Sequence, residues 1–365
     1  MKLRAGKQEL LEKLSDIQNI VEKRNTMPIL SHFLLDASGG GAFIMATDLE
    51  TAIKEPIDVS PEKEGRLSIP ARKLFEIIRE VEGDVVIESS DSQWIKVKAG
   101  ASSFRLACLP ADDFPAWPSM EKADEITMPA AELADMIEKT LFSAGESDTR
   151  YTLNGLLFHI TPDSGSFTVV GTDGHRLSII TKPVSAGAGE EKKIILPRKA
   201  AAELRKLLDK SESVSMLIGK NHVLFKAGQI EFLARLIEGT YPNYSQVIPT
   251  NDKKLAIDRE AFVRALRRVS IMSRDRSNAV KVDISKGLLT LASSNPDLGE
   301  ASDEIAIGYE GETLTIGFNA RYLLDALNAI PTEKVIFEVH DQLSPTMLRK
   351  EDSEDYKCVV MPMRI

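Results

Sequence analysis

Apolar residues recur at helical spacing in three segments of the chain, at 8–21, 130–142 and 259–272. In the first segment Leu10, Leu14 and Ile17 fall on one face of a helix with 3.6 residues per turn. Each segment is followed by two apolar runs that are typical of a β-hairpin, within 28–48, 153–173 and 280–295. The pattern therefore predicts the same helix and hairpin three times.

A second helix is predicted to begin in each third of the chain, at Pro70, Pro197 and Asn319. Proline is tolerated in the first helical turn, and asparagine caps helices well. Further strands follow these helices, at 85–88, 214–218 and 335–339. Because there are too few helices to cross over between all the strands, the sheets are expected to be mostly antiparallel. We predict an α+β fold of three repeated domains with two helices each, at 1–123, 124–252 and 253–365.

The composition is that of a folded protein with more than one domain. The chain has 365 residues, of which 43% are hydrophobic and 28% charged. Its net charge of -9 argues against a uniformly basic coat for nucleic acid or a polybasic membrane binder. No apolar stretch approaches the length of a membrane span, and the first residues lack the apolar core of a signal peptide. We expect a cytoplasmic protein with no membrane partner.

The predicted helices are more basic than the rest of the chain. They hold 20 Lys or Arg against 15 Asp or Glu when taken as 7–24, 70–80, 129–142, 197–210, 258–276 and 319–330. The helices either face phosphates or are solvated amphipathic faces with scattered charge, and both interpretations stay open. The sequence has no obvious base-reading helix or aromatic stacking platform, so contact with nucleic acid would be non-specific. Repeats whose sheets join edge to edge could also close into a ring with the helices inward.

Motifs for a cofactor or a metal are absent from the sequence. Gly219-Lys220 lacks the upstream glycine of a phosphate loop, and the five histidines have no metal-binding spacing. Cys108 and Cys358 suggest neither a disulfide framework nor a zinc site. We therefore expect no cofactor and no metal.

Asp173 and His175 raise the alternative of a hydrolase, since a carboxylate can orient an imidazole as a general base. The sequence offers no nucleophile elbow and no nearby thiol to complete such a site. We rank this alternative last and expect no catalytic activity.

The end of the chain is apolar up to its last residue, over 359–365. One interpretation is a final edge strand packed on its own sheet. Another adds a groove lined by Met361 and Met363 that accepts short apolar peptides, because methionine packs against many shapes. The two interpretations are compatible.

Seven motifs are spread over the chain: RNTMPIL at 24–30, ATDLE at 46–50, PARK at 70–73, LNGLLF at 153–158, TDGHRL at 172–177, YPNY at 241–244 and VMPMR at 360–364. Together they closely resemble the bacterial DNA polymerase III β subunit family, the sliding clamps, over essentially the whole length. The resemblance implies a DNA polymerase processivity factor, a non-catalytic subunit of the polymerase III holoenzyme. It also implies a head-to-tail homodimer that closes a six-domain ring around duplex DNA.

The resemblance assigns candidate residues to three sites. The partner-peptide groove is expected at Leu153, Thr172, Gly174, His175, Arg176, Leu177, Pro242, Val247, Val359, Val360, Met361, Pro362, Met363 and Arg364. DNA contacts are expected at Arg24, Arg72, Arg150, Tyr151 and Arg198. The dimer interface is expected to pair Phe104 and Leu106 with Ile271 and Met272. Two positions depart from the family pattern, which often has an aromatic residue in place of Thr152 and a basic or longer polar residue in place of Gln246.

The implied partners are the DNA polymerase III catalytic subunit, a clamp loader that opens the ring with ATP, and other replication and repair proteins with short clamp-binding motifs. An alternative keeps the repeats and the groove but needs no ring. In that case the chain is a monomeric nucleic-acid-binding or peptide-adaptor protein that does not encircle DNA.

Overall fold

The computed structural model describes residues 1–21, 27–59, 61–89, 91, 93–118, 120, 124–184, 190–273 and 278–364. These residues form six α-helices: α1 (Lys7–Ile17), α2 (Ala71–Glu80), α3 (Ala130–Leu141), α4 (Arg198–Leu208), α5 (Arg259–Ser270) and α6 (Ala320–Ala329). The six predicted helices are confirmed. The first is shorter than predicted and ends at Ile17, after which the chain turns with the N–H groups of Ile20 and Val21 donating to the Ile17 carbonyl.

The same residues form 24 strands. The first twelve are β1 (Lys2–Ala5), β2 (His32–Ala37), β3 (Ala42–Thr47), β4 (Thr51–Ile57), β5 (Gly65–Pro70), β6 (Val85–Glu88), β7 (Trp94–Ala99), β8 (Ser102–Ala107), β9 (Asp124–Pro129), β10 (Gly155–Thr161), β11 (Ser166–Thr172) and β12 (Arg176–Pro183). The others are β13 (Lys192–Pro197), β14 (Ser213–Ile218), β15 (His222–Ala227), β16 (Ile230–Arg235), β17 (Lys253–Asp258), β18 (Ala279–Ser285), β19 (Leu288–Asn295), β20 (Gly299–Ala306), β21 (Leu314–Asn319), β22 (Lys334–Val339), β23 (Thr346–Lys350) and β24 (Tyr356–Val360).

The chain divides into two compact units. Unit 1 comprises Met1–Leu133 and Ala202–Leu236. It contains an eight-stranded sheet of order β5-β2-β3-β4-β16-β15-β14-β9 and a four-stranded sheet of order β1-β6-β7-β8. Helix α1 packs against α2 and β4 and buries Leu10, Leu14 and Ile17, the residues that its apolar pattern selects.

Unit 2 comprises Ala134–Ala201 and Ile237–Ile365. Its eight-stranded sheet has the order β13-β10-β11-β12-β24-β23-β22-β17, and its four-stranded sheet has the order β20-β19-β18-β21. Helix α5 packs against β20, β19 and α6. Its N-cap is Asp258, whose carboxylate accepts from the N–H of Ala261 at 2.7 Å.

Every strand pair that the described residues form in these four sheets is antiparallel, as predicted. Each eight-stranded sheet is joined at its centre by strands far apart in sequence, β4 with β16 in unit 1 and β12 with β24 in unit 2. These central pairs link successive repeats. The predicted boundary at 123 lies outside the described residues, and the boundaries at 123 and 252 stay predictions.

Candidate partner-peptide groove

The β11–β12 hairpin of unit 2 presents the predicted residues of the TDGHRL motif. Gly174 has a φ of +85°, a left-handed conformation that glycine adopts without strain. The Asp173 carboxylate accepts from the N–H groups of His175 and Arg176 at 2.9 and 3.1 Å. The Thr172 hydroxyl accepts from the Gly174 N–H at 3.1 Å and donates to the Arg176 carbonyl at 2.6 Å. The turn is therefore held by its own side chains, and His175 is exposed on it.

An apolar cluster lies beside this turn. Register places Thr172 opposite Leu177 and Leu177 opposite Val359, so their side chains share one face of the sheet. The buried members of the cluster are Leu153, Leu157, Val170, Leu177, Ile195, Tyr241 and Val359. This cluster is the floor of the candidate groove.

The C-terminal residues continue beyond β24 as one wall of the groove. The Met361 N–H donates to the His175 carbonyl at 2.9 Å, and the Met363 N–H donates to the Gly317 carbonyl at 2.8 Å. These bonds hold the segment in place while 38% of Met361 stays exposed. Pro362 and Met363 are half-buried, and Arg364 is exposed. A final strand is present as predicted from the apolar tail, but it is not an edge strand, because β24 pairs with β12 on one side and with β23 on the other.

The segment 237–251 packs on the same apolar cluster. Pro242 and Val247 are exposed, Val247 by 46%. Tyr241 is buried in the apolar cluster, and Ile237 and Tyr244 pack against it. The sequence prediction named Pro242 from the YPNY motif but did not assign Tyr241 or Tyr244. The aromatic spacing around that proline was the available signal.

Arg176 braces the groove from beneath. Its side chain is only 11% exposed and donates to Asp173 at 3.0 Å, to Asp325 at 2.6 Å and to the Phe142 carbonyl at 2.5 Å. The guanidinium also lies 4.4 Å from the centre of the Tyr322 ring. The ion pair with Arg176 occupies the Asp173 carboxylate, which a catalytic pairing of Asp173 with His175 would require.

The predicted DNA contacts lie in both units, and Arg24 falls outside the described residues. Arg72 is exposed on α2, where it donates to Glu76 at 3.0 Å. Arg198 donates to the carbonyls of Leu141 and Ala144 at 2.6 and 2.5 Å, at the C-terminal end of α3. A cation is favourable at that position because the helix dipole is negative there.

Arg150 is bound to the groove hairpin. It donates to Asp148 at 2.9 and 2.8 Å and to the Asp173 carbonyl at 3.0 Å. Hydrogen bonds from Arg150 lower the pKa of Asp148 to about 2. A Cβ on Gly174 would lie 2.6 Å from the Arg150 guanidinium, but that is the end of a flexible, exposed side chain that can move aside, so glycine is favoured there by its φ. Its neighbour Tyr151 is exposed.

The predicted dimer residues lie in different units, one pair on an edge strand and the other after a helix. Phe104 and Leu106 are half-buried on β8, the edge strand of the four-stranded sheet in unit 1. Ile271 and Met272 follow α5 in unit 2, where Ile271 is 74% exposed. Strand β20 is an edge of the four-stranded sheet of that unit.

The described part of the chain holds no cluster of three or more His, Cys, Asp or Glu side chains suited to a metal ion. None of its helices is long and apolar enough to cross a membrane. Both cysteines are buried and free, and burial raises the pKa of the Cys358 thiol to about 11.

Comparison with known families accounts for nearly the whole chain. Three domain models of the DNA polymerase III beta subunit match it: the N-terminal domain over 1–118, the central domain over 127–243 and the C-terminal domain over 245–364.

Individual relatives match over the full length. The beta sliding clamp of Caulobacter vibrioides is 37% identical and covers 100% of both chains. The crystal structure of the DNA polymerase III subunit beta from Pseudomonas aeruginosa is 34% identical, with a TM-score of 0.94 and 100% of both chains covered. The sliding clamp from Bartonella birtlesii, solved bound to griselimycin, is 35% identical with a TM-score of 0.96 and the same coverage.

The three repeats predicted from the sequence therefore correspond to the three clamp domains of one family. The chain belongs to the DNA polymerase III beta subunit family, the bacterial beta sliding clamps, which are non-catalytic processivity factors of the replicative DNA polymerase.

Proposed function

We propose that two copies of this chain close head to tail into a six-domain ring around duplex DNA and dock replication proteins in the groove of unit 2. The proposed partners are the polymerase III catalytic subunit, the clamp loader, and other replication and repair proteins with short motifs. The observation that carries the proposal is the exposed apolar surface at Met361 and Val247, above the buried floor formed by Leu177 and Val359.

The groove suits a short, mostly apolar peptide. Its floor is a continuous apolar cluster, and its walls come from the C-terminal segment and the segment 237–251. Methionine side chains at 361 and 363 adapt to different peptide side chains, which allows one groove to serve several partners. Arg176 is engaged internally, so we assign it to support of the hairpin, and the contacts with peptide to the apolar residues and His175.

The proposed hold on DNA is topological, so strong contacts are not needed. Arg24, Arg72, Arg150, Tyr151 and Arg198 remain the candidate contacts from the sequence. Weak, screened interactions with phosphates allow the protein to slide along the duplex. The net charge of -9 opposes binding to DNA that is not threaded.

A head-to-tail dimer needs two different surfaces that fit each other. The chain offers the edge strand β8 in unit 1 and the edge strand β20 in unit 2. Pairing between copies would cover both edges, which otherwise present unpaired backbone groups. Phe104 and Leu106 would meet Ile271 and Met272 beside that seam. Because the family acts in bacterial DNA replication, we place the protein in the cytoplasm.

Groove function is tested by titrating the polymerase III catalytic subunit against Met361→Ala combined with Leu177→Ala. We expect affinity to fall at least tenfold, because both side chains supply apolar contact at the centre of the groove. Leu298→Ala is the control for the Met361 change, since Leu298 is exposed like Met361 but lies in the β19–β20 turn. Unchanged polymerase binding by the double variant would exclude this groove as the docking site.

Encirclement is tested by retention on DNA. The protein is loaded onto a nicked circle with the clamp loader and ATP, free protein is removed, and the circle is cut once. Loss of bound protein after the cut indicates topological linkage, because backbone affinity is unchanged by a distant break. Retention after the cut, with a native mass of one chain at micromolar concentration, would instead support the monomeric adaptor.

A further inference from the structure

The segment 237–251 has open space on both of its sides over one face of the eight-stranded sheet of unit 2, and Leu157, Ile195 and Tyr241 of the groove floor also line the second space. The groove lies toward β12 and β24. A cavity of about 570 Å³ lies toward β13 and β10, lined by Leu157, His159, Lys193, Ile195 and residues 239–245. Since the sheet order places β13 and β10 on the opposite side of β11 from β12 and β24, the segment has open space on both flanks.

Backbone and amide hydrogen bonds fix the two ends of this segment. At its start the Ile237 N–H donates to the Ile195 carbonyl at 2.9 Å. At its end the buried Asn251 amide donates to the carbonyls of Glu338 and Pro345 at 2.9 and 3.1 Å. Pro242 and Val247, the groove-wall residues, lie between these anchors.

Two tyrosines hold the middle of the segment. The Tyr241 hydroxyl donates to the Val170 carbonyl at 3.4 Å, a long hydrogen bond. The Tyr244 hydroxyl lies 2.7 Å from Nδ1 of His159 on β10. Burial raises the pKa of Tyr244, so its hydroxyl stays protonated near neutral pH. The short contact with His159 is the stronger of the two.

His159 is itself held in place from the other side of its ring. Its Nε2 lies 2.6 Å from the Glu191 carboxylate, which also accepts from Lys193 at 2.8 Å. A carboxylate on Nε2 favours the tautomer with its proton there, leaving Nδ1 to accept from Tyr244. Glu191, His159 and Tyr244 thus form a hydrogen-bonded chain from the residue before β13 to the segment.

We propose that the His159–Tyr244 hydrogen bond is a latch that positions Pro242 and Val247 for peptide docking. This inference rests on the proposed function of the groove. Without the latch, the middle of the segment has the cavity to move into, and the fraction of protein with a complete groove falls. Apparent affinity is reduced by that fraction, and the loss appears mainly in the association rate.

Binding kinetics of griselimycin, the ligand present in the Bartonella birtlesii relative, test the latch. We expect Tyr244→Phe to bind about fivefold more weakly, with a slower association rate and nearly the same dissociation rate. His159→Leu should have the same effect, and the two changes together should be no worse than either alone. His159→Gln keeps an acceptor for the tyrosine hydroxyl and should bind within about twofold of the unchanged protein.

The control is Arg66→Gln, which breaks the ion pair of Arg66 with Asp36 at the corresponding strand positions of unit 1. It should leave griselimycin binding unchanged. Additive losses, or a weakened His159→Gln, would overturn the latch and indicate general loss of packing. Wild-type affinity in Tyr244→Phe would also overturn it while leaving the groove function intact. Failure of the unchanged protein to bind griselimycin would contradict the proposed function itself.

Discussion

The two eight-stranded sheets have the same central construction but different surfaces. In unit 1, Ala52 of β4 lies opposite Leu233 of β16, and in unit 2 Leu177 of β12 lies opposite Val359 of β24. Beyond these pairs, the Arg235 N–H donates to the Glu50 carbonyl at 2.8 Å, in the position of the Met361–His175 bond of unit 2. Unit 1 thus has the charged side chains of Arg235 and Glu50 at the positions where unit 2 has Met361 and His175, although the backbone hydrogen bond is the same.

The segments that cover the two sheets differ in the same way. Unit 1 has Phe114-Pro115-Ala116-Trp117 where unit 2 has Tyr241-Pro242-Asn243-Tyr244. In unit 1, Trp117 and Met120 pack onto the apolar cluster of Ala52, Leu224 and Leu233. The place of the groove is therefore filled by the chain itself. The comparison teaches that the two sheets share one backbone arrangement and that a few large side chains, such as Trp117, determine whether the apolar surface of a sheet is covered or left open to a partner.

The largest expected difference in stability between variants concerns the residue that begins the second strand of each hairpin. This residue is Arg176 in unit 2 and Thr51 in unit 1. Arg176→Met removes the guanidinium and leaves Asp173 and Asp325 without their partner in a largely buried site. We expect unit 2 to lose about 3 kcal/mol of unfolding free energy. Urea denaturation followed by circular dichroism measures the loss.

Lys193→Met is the control, since it removes a cation from the same sheet at an exposed ion pair worth little. A loss equal to that of the control would show that Arg176 is not a structural brace. In that case its guanidinium would be available to a docked peptide.

The repeated architecture could be predicted from the sequence because it rests on local periodicity. Helical spacing identified the first helix of each repeat, Pro70, Pro197 and Asn319 marked the start of the second, and paired apolar runs identified the hairpins. The edge-to-edge joining of β4 with β16 and of β12 with β24 depends on contacts between distant segments, which periodicity does not encode. The internal role of Arg176 was hidden for the same reason, because its partner Asp325 is 149 positions away.

A second difference lies beneath the sheets, where β4 has Glu55 and β12 has Ile180 at the corresponding position, both fully buried. Lys13 Nζ lies 3.1 Å from the Glu55 carboxylate, yet neither oxygen receives a well-aligned hydrogen bond within the described residues. Burial, with the nearby Asp16 charge, raises the pKa of Glu55 to about 7. The folded state therefore binds a proton that the unfolded state releases between about pH 4.5 and 7, so stability falls as pH rises through that window.

Glu55→Gln should remove this pH dependence. We expect the variant to be about 2 kcal/mol more stable than the unchanged protein at pH 8 and nearly equal to it at pH 4.5. Thermal unfolding across this pH range measures the difference. Glu50→Gln, which changes an exposed carboxylate, should leave the profile as it was. A constant offset at all pH values would mean that Glu55 does not titrate in this window.

Trp117→Ala tests whether Trp117 covers the apolar cluster of unit 1. The indole is half-buried, so we expect a loss of about 1.5 kcal/mol, below the range for fully buried tryptophan. Removing it should also expose the cluster of Ala52, Leu224 and Leu233, detected as increased fluorescence of an apolar dye. Trp94→Ala is the control, since Trp94 is more exposed and lies in the other sheet of unit 1. Equal dye binding by both variants would mean that Trp117 does not cover a latent groove.

The smallest expected effect completes the comparison of the two hairpins. The Thr51 hydroxyl donates to the Asp48 carboxylate at 2.9 Å, and that carboxylate also accepts from the backbone N–H groups of Glu50 and Thr51 at 3.0 and 2.6 Å. Thr51→Val removes only the hydroxyl, so the turn keeps its backbone bonds. We expect a loss of about 1 kcal/mol in urea denaturation, roughly a third of the effect of Arg176→Met. If the two losses were equal, the unit 2 hairpin would gain nothing from its contacts with Asp325 and Phe142, and both hairpins would be stabilised by their turns alone.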